Sequence, residues 1–179
     1  INQRVAQKKR PGDLIFLPFL TGTNSPDYEQ TAKGVFYGLR LHHDQTDCAL
    51  AVMEGVAYLL YRNLICLKQN GIEADRIITT GGGSRSAIWC QLKADLTGYS
   101  FSVPVQTEAA SLGCALIGAV TSGLIKDYAE GVDKAVSMKR TYTPALTHAY
   151  QPQIRLSDKL FEQLIPVFHL DAQMKEESG

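Results

Sequence analysis

No CxxC pair occurs among the four cysteines Cys48, Cys66, Cys90 and Cys114, and each lies in an apolar stretch of helical character. That spacing excludes a zinc knuckle and a disulfide framework, and predicts a reduced, cytoplasmic protein. Neither sign of charge is in excess, with 18 Lys plus Arg against 18 Asp plus Glu, so no broad field recruits nucleic acid. The one basic cluster, Lys8-Lys9-Arg10, reads as a solvated lead-in to the first strand. Long hydrophobic runs are missing too. The longest, Cys48 to Tyr61, has 14 residues broken by Glu54 and Gly55, short of the ~20 that a membrane span requires. With no signal peptide at the start, no membrane partner is expected. A GxxxxGK[ST] loop is absent, and Gly81-x-Gly83-x-x-Ser86 lacks the third glycine of a dinucleotide fingerprint. A P-loop and a Rossmann oxidoreductase are thereby disfavoured. No repeat, low-complexity block or second domain interrupts the 179 residues, of which 45% are hydrophobic, enough for one sizeable core.

What is present alternates between strand and helix. Leu14 to Pro18 reads as a short buried strand, Thr21 to Asp27 as a surface loop, and Gly34 to Leu39 as a second strand. A long helix is predicted from Thr46 to Asn70, capped by Asp44, Thr46 or Asp47 and ended by Gly71. It is apolar nearly all round and should lie in the interior. Arg76 to Thr80 has the β-branched run of a buried parallel strand, followed by Gly81-Gly82-Gly83 and a helix from Ser84 to Thr97. Tyr99 to Val105 alternates like a strand, and Glu108 to Ser122 is a small-residue helix stopped by Gly123. Thr141 to Gln151, bracketed by Pro144 and Pro152, is expected to wander over the surface. Leu156, Leu160 and Leu164 mark a last amphipathic helix that Pro166 ends or kinks, before a frayed tail from Lys175. The order predicts an α/β layer with some parallel pairing.

Chemistry concentrates at Ile77 to Asp95. A strand delivers the chain to three glycines and a helix starts at once. Glycines let backbone approach a ligand, and a helix start offers unpaired N–H groups and a positive dipole end. The same residues also suit a plain strand-to-helix turn with Ser84 or Ser86 as N-cap.

The segment FLPFLTGTNSPDYEQTAKGVFYGL resembles the strand, loop and strand of the carboxy-terminal domain of FGGY carbohydrate kinases, in xylulokinase-like form. Gly34 to Leu39, then Asp47 to Glu54 after seven residues, is similar to the family's second signature, departing only at Cys48. GGGSRSAIWCQLKAD resembles its adenosine loop, with Trp89, Gln91, Ala94 and Asp95 in register. SVPVQTEAASLGCALIGAV and AYQPQIRLSDKLFEQLIPVF resemble its later segments, so the likeness runs from Gly12 to Phe168. It implies an actin-like (ribonuclease H-like) ATPase fold. Residues 1–179 would form the nucleotide-binding carboxy lobe without its first strands, and the amino lobe would hold sugar, magnesium and the catalytic aspartate. The resemblance implies that Gly82 meets ATP or ADP through its backbone, that Gly81 and Gly83 shape the loop, and that Ser86 faces the adenosine. Gly113 would sit on the helix that lies close to the nucleotide. No residue of this chain takes the catalytic role, so the chain alone is expected to be inactive. Thr21 to Pro26 stands where many D-xylulokinases have SGERTP, so the sugar, a pentulose or related polyol, is not fixed. A non-catalytic nucleotide-binding or interaction module of the same fold is the rival reading. An exposed sheet edge would also permit a homodimer.

Three further features carry two readings each. Glu54, alone in an apolar helix, is a general base or, with partners, a structural acceptor. His42-His43-Asp44 forms a loop and helix cap rather than a metal site, because adjacent histidines point apart. Trp89 packs in the core or stacks on a ligand.

Overall fold

A computed structural model describes residues 2–177. After a short helix α1 (Asn2–Val5), strand β1 (Ile15–Leu17) is buried at all three positions and pairs antiparallel with β2 (Val35–Tyr37). The Phe16 and Phe36 rings sit 4.4 Å apart across this pair. The turn-rich residues between the strands form the expected loop, which Asp27 ties down by accepting a 2.7 Å bond from Arg62.

Helix α2 (Gln45–Gln69) packs against α1, β1 and the later helix α3 (Ala87–Thr97). Its start is a capping box. The Asp44 carboxylate accepts from the Thr46 and Asp47 amides, and Asp47 accepts from the Asp44 amide. By length and a mean hydropathy of 1.4 it could cross a membrane, but in this fold it is the core helix, burying Leu50, Ala51, Met53, Ala57, Tyr58 and Leu64. Gly55 is required by contact: a methyl there would run into the Phe16 carbonyl of β1. Val52 and Val56 remain exposed, so the helix is interior on one side only.

The second sheet has the order β3 (Arg76–Ile78), β4 (Ser100–Pro104), β5 (Met138–Tyr142), parallel then antiparallel. One face, with Phe101, Val103 and Tyr142, packs on Cys90 and Ala94 of α3. Helices α4 (Ala109–Thr121) and α5 (Tyr128–Ala135) pack on each other through Gly131, and α4 buries none of its residues. Helix α6 (Thr147–Glu176) closes the main core with Tyr150, Ile154, Phe161 and Phe168.

Several expectations are corrected. Strand β3 is exposed rather than buried: Ile77 packs on the core beneath, but Ile78 points to the other face and is 49% exposed. Residues 141–151 are not irregular; they complete β5 and begin α6. Pro166 does not end α6, and Pro152 also lies within it. Both prolines are exposed, as are His148 and Glu162, whose carbonyls lose their helical partners and face water. The buried stripe follows Tyr150, Ile154, Ser157, Phe161 and Phe168, leaving Leu156 in solvent. The basic lead-in is not merely solvated. Lys8 pairs with Asp47 at 2.8 Å, and Arg10 reaches the buried Asp95 at 3.3 Å.

The cap makes a pH-dependent prediction. The Asp47 amide, Lys8 and the Thr46 amide hold the Asp44 carboxyl down to about 2 from its ordinary 3.8. A lowered folded-state value stabilises above the unfolded one and loses that contribution as pH falls through the folded one. Asp44→Ala should therefore lower the urea midpoint at neutral pH. Its difference from the parent should shrink as pH drops from 3.8 towards about 2. A pH-independent difference would assign the effect to helix propensity alone.

Candidate nucleotide-binding turn

The parallel strand β3 ends by passing the Thr79 amide to the Ser102 carbonyl, and the chain then reverses. Gly81 turns it with φ +72, a conformation costly to residues with a Cβ. Its N–H donates to the Thr107 carbonyl at 3.0 Å, while its carbonyl accepts from the Ser84 amide and hydroxyl. Gly82–Arg85 form a 3-10 turn, and Ser86 N-caps α3 by accepting from the Trp89 amide at 3.3 Å. The regular α-helix thus begins at Ala87, three residues later than the expected Ser84.

Gly81, Gly82 and Gly83 do lie together on this strand-to-helix turn, with Ser86 at the helix head beside them. A Cβ on Gly81 or Gly82 would meet nothing within 4 Å. The main chain is therefore bare on that side, and a flat ligand could rest against it. Gly82 does not share the positive φ of Gly81, so its lack of a side chain keeps space open rather than serving the turn. Ser86 accepts one bond as cap but keeps its own hydroxyl proton to donate. Gly83 faces Trp89 and Lys93, whose ammonium sits 4.8 Å from the Trp89 ring centre. Burial lowers the Lys93 pKa. Trp89 packs partly against the main core, as its core reading requires, although its indole N–H has no partner among the described residues. Beneath the turn, the buried Cys90 thiol donates to the Ser84 carbonyl at 3.5 Å.

Arg85 bonds Glu108 at 2.9 Å, which links the turn to the start of α4. Gly113 lines an apolar groove of about 310 Å³ between α4, α5 and the ends of β3 and β4, with Thr80 and Gln106 at its polar positions. Gly113 is therefore near the turn but not part of it.

Glu54 is a structural acceptor. At 3% exposure it receives the Gly12 amide at 3.1 Å, the Tyr150 hydroxyl at 3.0 Å and the Gln153 amide at 3.1 Å. Burial raises its pKa against these bonds. Asp44 is a cap, as expected, but His42 and His43 do not point apart. Their rings lie 4.2 Å from each other, and both reach Asp13. The three groups bring ligand atoms within 4.8 Å. Yet the His43 Nδ1 accepts from the Arg40 amide at 2.9 Å, which leaves the proton on Nε2, directed at Asp13. A metal there would have to displace that proton and the Arg40 bond, so the trio serves as a hydrogen-bonded clasp.

The parallel β3–β4 pair, the glycine turn and α3 are consistent with the actin-like (ribonuclease H-like) ATPase fold that the structural neighbours show. The chain belongs to the FGGY family of carbohydrate kinases, whose C-terminal domain profile matches residues 2–122. It is 31% identical over 155 residues to the xylulose kinase of Escherichia coli K12, covering 85% of this chain and 32% of that protein. Over 169 residues it is 31% identical to the gluconokinase of Bacillus subtilis 168, covering 92% of this chain and 31% of the relative. The gluconate kinase structure from Lactobacillus acidophilus superposes with a TM-score of 0.81 at 27% identity, over 94% of this chain and 35% of its own. The chain thus spans about a third of the length of these relatives.

Proposed function

We propose that this chain is the adenosine-binding lobe of an ATP-dependent sugar kinase acting on a pentulose such as xylulose or on a related polyol or sugar acid. The supporting observation is the bare main chain of Gly81 and Gly82, open for 4 Å above a strand-to-helix turn. In this reading the ring and ribose of ATP lie along Gly81–Gly83, the Ser86 hydroxyl donates to the adenosine, and Lys93 and Trp89 support the turn from below. In this reading Glu108, the carboxylate bonded to the turn, serves Arg85 rather than magnesium. Phosphoryl transfer rests on positioning and charge stabilisation, and this lobe supplies the positioning of the donor. The sugar, the metal and the proton-accepting aspartate belong to the other lobe of the complete kinase. The names xylulose kinase and gluconokinase among the relatives favour sugar phosphorylation over a non-catalytic module.

Titration of the isotope-labelled chain with ADP tests the assignment. Amide resonances of Gly81, Gly82, Gly83 and Ser86 should move saturably, and the chain alone should transfer no phosphate from ATP to ketopentoses or gluconate. Shifts confined to other residues, or turnover by the chain itself, would overturn the reading.

A further inference from the structure

A second concavity borders the turn. It has a volume of about 460 Å³ and is lined by Ser84, Arg85, Thr107, Lys139, Arg140 and Tyr142, among others. Three cationic residues therefore line one pocket of a chain whose net charge is zero. Arg85 has Glu108 as its counter-charge. Among the described residues no carboxylate pairs with Lys139 or Arg140. Arg140 is instead laid over the Tyr142 ring at 4.8 Å, which fixes its guanidinium without neutralising it. Tyr142 is itself buried, so the platform under Arg140 is rigid. The pocket stands beyond the carboxyl end of β4, where open α/β sheets place their ligands, and its size suits a small molecule.

Like charges that converge without partners are relieved by an anion. Arginine favours the paired oxygens of a phosphate or carboxylate, and lysine adds a mobile point charge. Thr107 adds a polar residue to the same wall, which suits a ligand that also carries polar groups. The geometry points to a second ligand site here, for a small phosphorylated anion, held by Arg85, Lys139 and Arg140 and separate from the nucleotide seat on Gly81–Gly83. Ser84 and Arg85 belong both to this wall and to the turn, so an anion that draws Arg85 from Glu108 loosens the link to α4. This site does not depend on the adenosine assignment, since Lys139 and Arg140 lie on β5 and none of the three glycines lines the pocket.

Calorimetric titration of the chain with inorganic pyrophosphate and, separately, with ribose 5-phosphate tests it. Saturable binding that weakens with salt is expected in at least one arm, and the tighter arm names the source of the phosphate. Lys139→Ala combined with Arg140→Ala should weaken it at least about tenfold, while ADP affinity stays within about twofold. Lys139→Glu, at an exposed residue with no partner to lose, should act in the same direction without disturbing Tyr142. Lys159→Ala with Lys175→Ala should change nothing. Absence of saturable binding, or indifference to both Lys139 variants, would overturn the proposal. A parallel loss of ADP affinity would overturn it differently, by making the cations part of the nucleotide seat.

Discussion

Gly82→Val is expected to raise the Michaelis constant for ATP in the complete kinase by on the order of a hundredfold, leaving that for sugar nearly unchanged. A ligand resting on bare main chain has no side chain that can yield, so a branched Cβ displaces it bodily. A shift of about 1 Å is enough for a loss of that order. The structure makes the experiment clean. Nothing lies within 4 Å of a Cβ at Gly82, and its φ is not positive, so the valine should not disturb the fold. Gly81→Val would be a poorer test, because its φ of +72 would strain the turn itself. Ser86→Ala serves as the milder control, with a lost cap and one polar contact worth about 1 kcal/mol each. Steady-state kinetics with each substrate varied in turn decides the matter. Unchanged ATP dependence in a folded Gly82→Val enzyme would reduce the glycines to a turn.

Asp95→Ala should destabilise the chain by about 3 kcal/mol in chemical denaturation, near the lower end for a broken buried pair. Asp95 is 1% exposed and accepts from Arg10 at 3.3 Å, from Gln91 at 2.9 Å and from the Ala145 amide at 2.9 Å. Its removal leaves a largely buried guanidinium and a backbone N–H without partners at once. Arg10 keeps some contact with water at 18% side-chain exposure, which limits the cost. Asp95→Asn should be milder, since an amide oxygen can still accept from Ala145. A loss below about 1 kcal/mol for the alanine variant would show that water replaces all three partners.

Legibility from sequence followed how local each cause was. Helix α2 was readable almost to the residue, because Asp44 and Gly71 act on their own neighbours. The glycine turn was readable as a turn, but the start of α3 was not, since Gly82–Arg85 wind a tighter 3-10 turn first. Strand β3 looked buried because its residues are β-branched, yet burial depends on what covers each face of the sheet, which Ile77 and Ile78 cannot report. Strand β5, Met-Lys-Arg-Thr-Tyr, shows no apolar alternation and was missed; it is held by backbone pairing to β4 and by Tyr142 alone in the core. With it went the Arg85–Lys139–Arg140 pocket, in which Arg85 lies about fifty residues before the other two in the chain. Pro152 and Pro166 misled for a related reason: their cost depends on whether the orphaned carbonyl faces water, a property of the fold. At the candidate site, the glycine turn was visible from its residues and the proposed role of Ser86 only through the family resemblance, whereas the bare space above Gly82 needed coordinates.

The Glu54 cluster also sets a timetable for biosynthesis. Its partners lie 42 residues earlier, at Gly12, and 96 and 99 residues later, at Tyr150 and Gln153. At the usual pace of translation the ribosome takes about 5–20 s to reach Gln153 after Glu54 is made. Through that interval the carboxylate has only Gly12 to accept from, and burying it so poorly satisfied is costly. Helix α2 must therefore wait half-open, its Glu54 side in water, for α6 to emerge. Closure of the main core is in that sense delayed until Tyr150 and Gln153 arrive, and the nascent α2 is a segment a chaperone would find exposed.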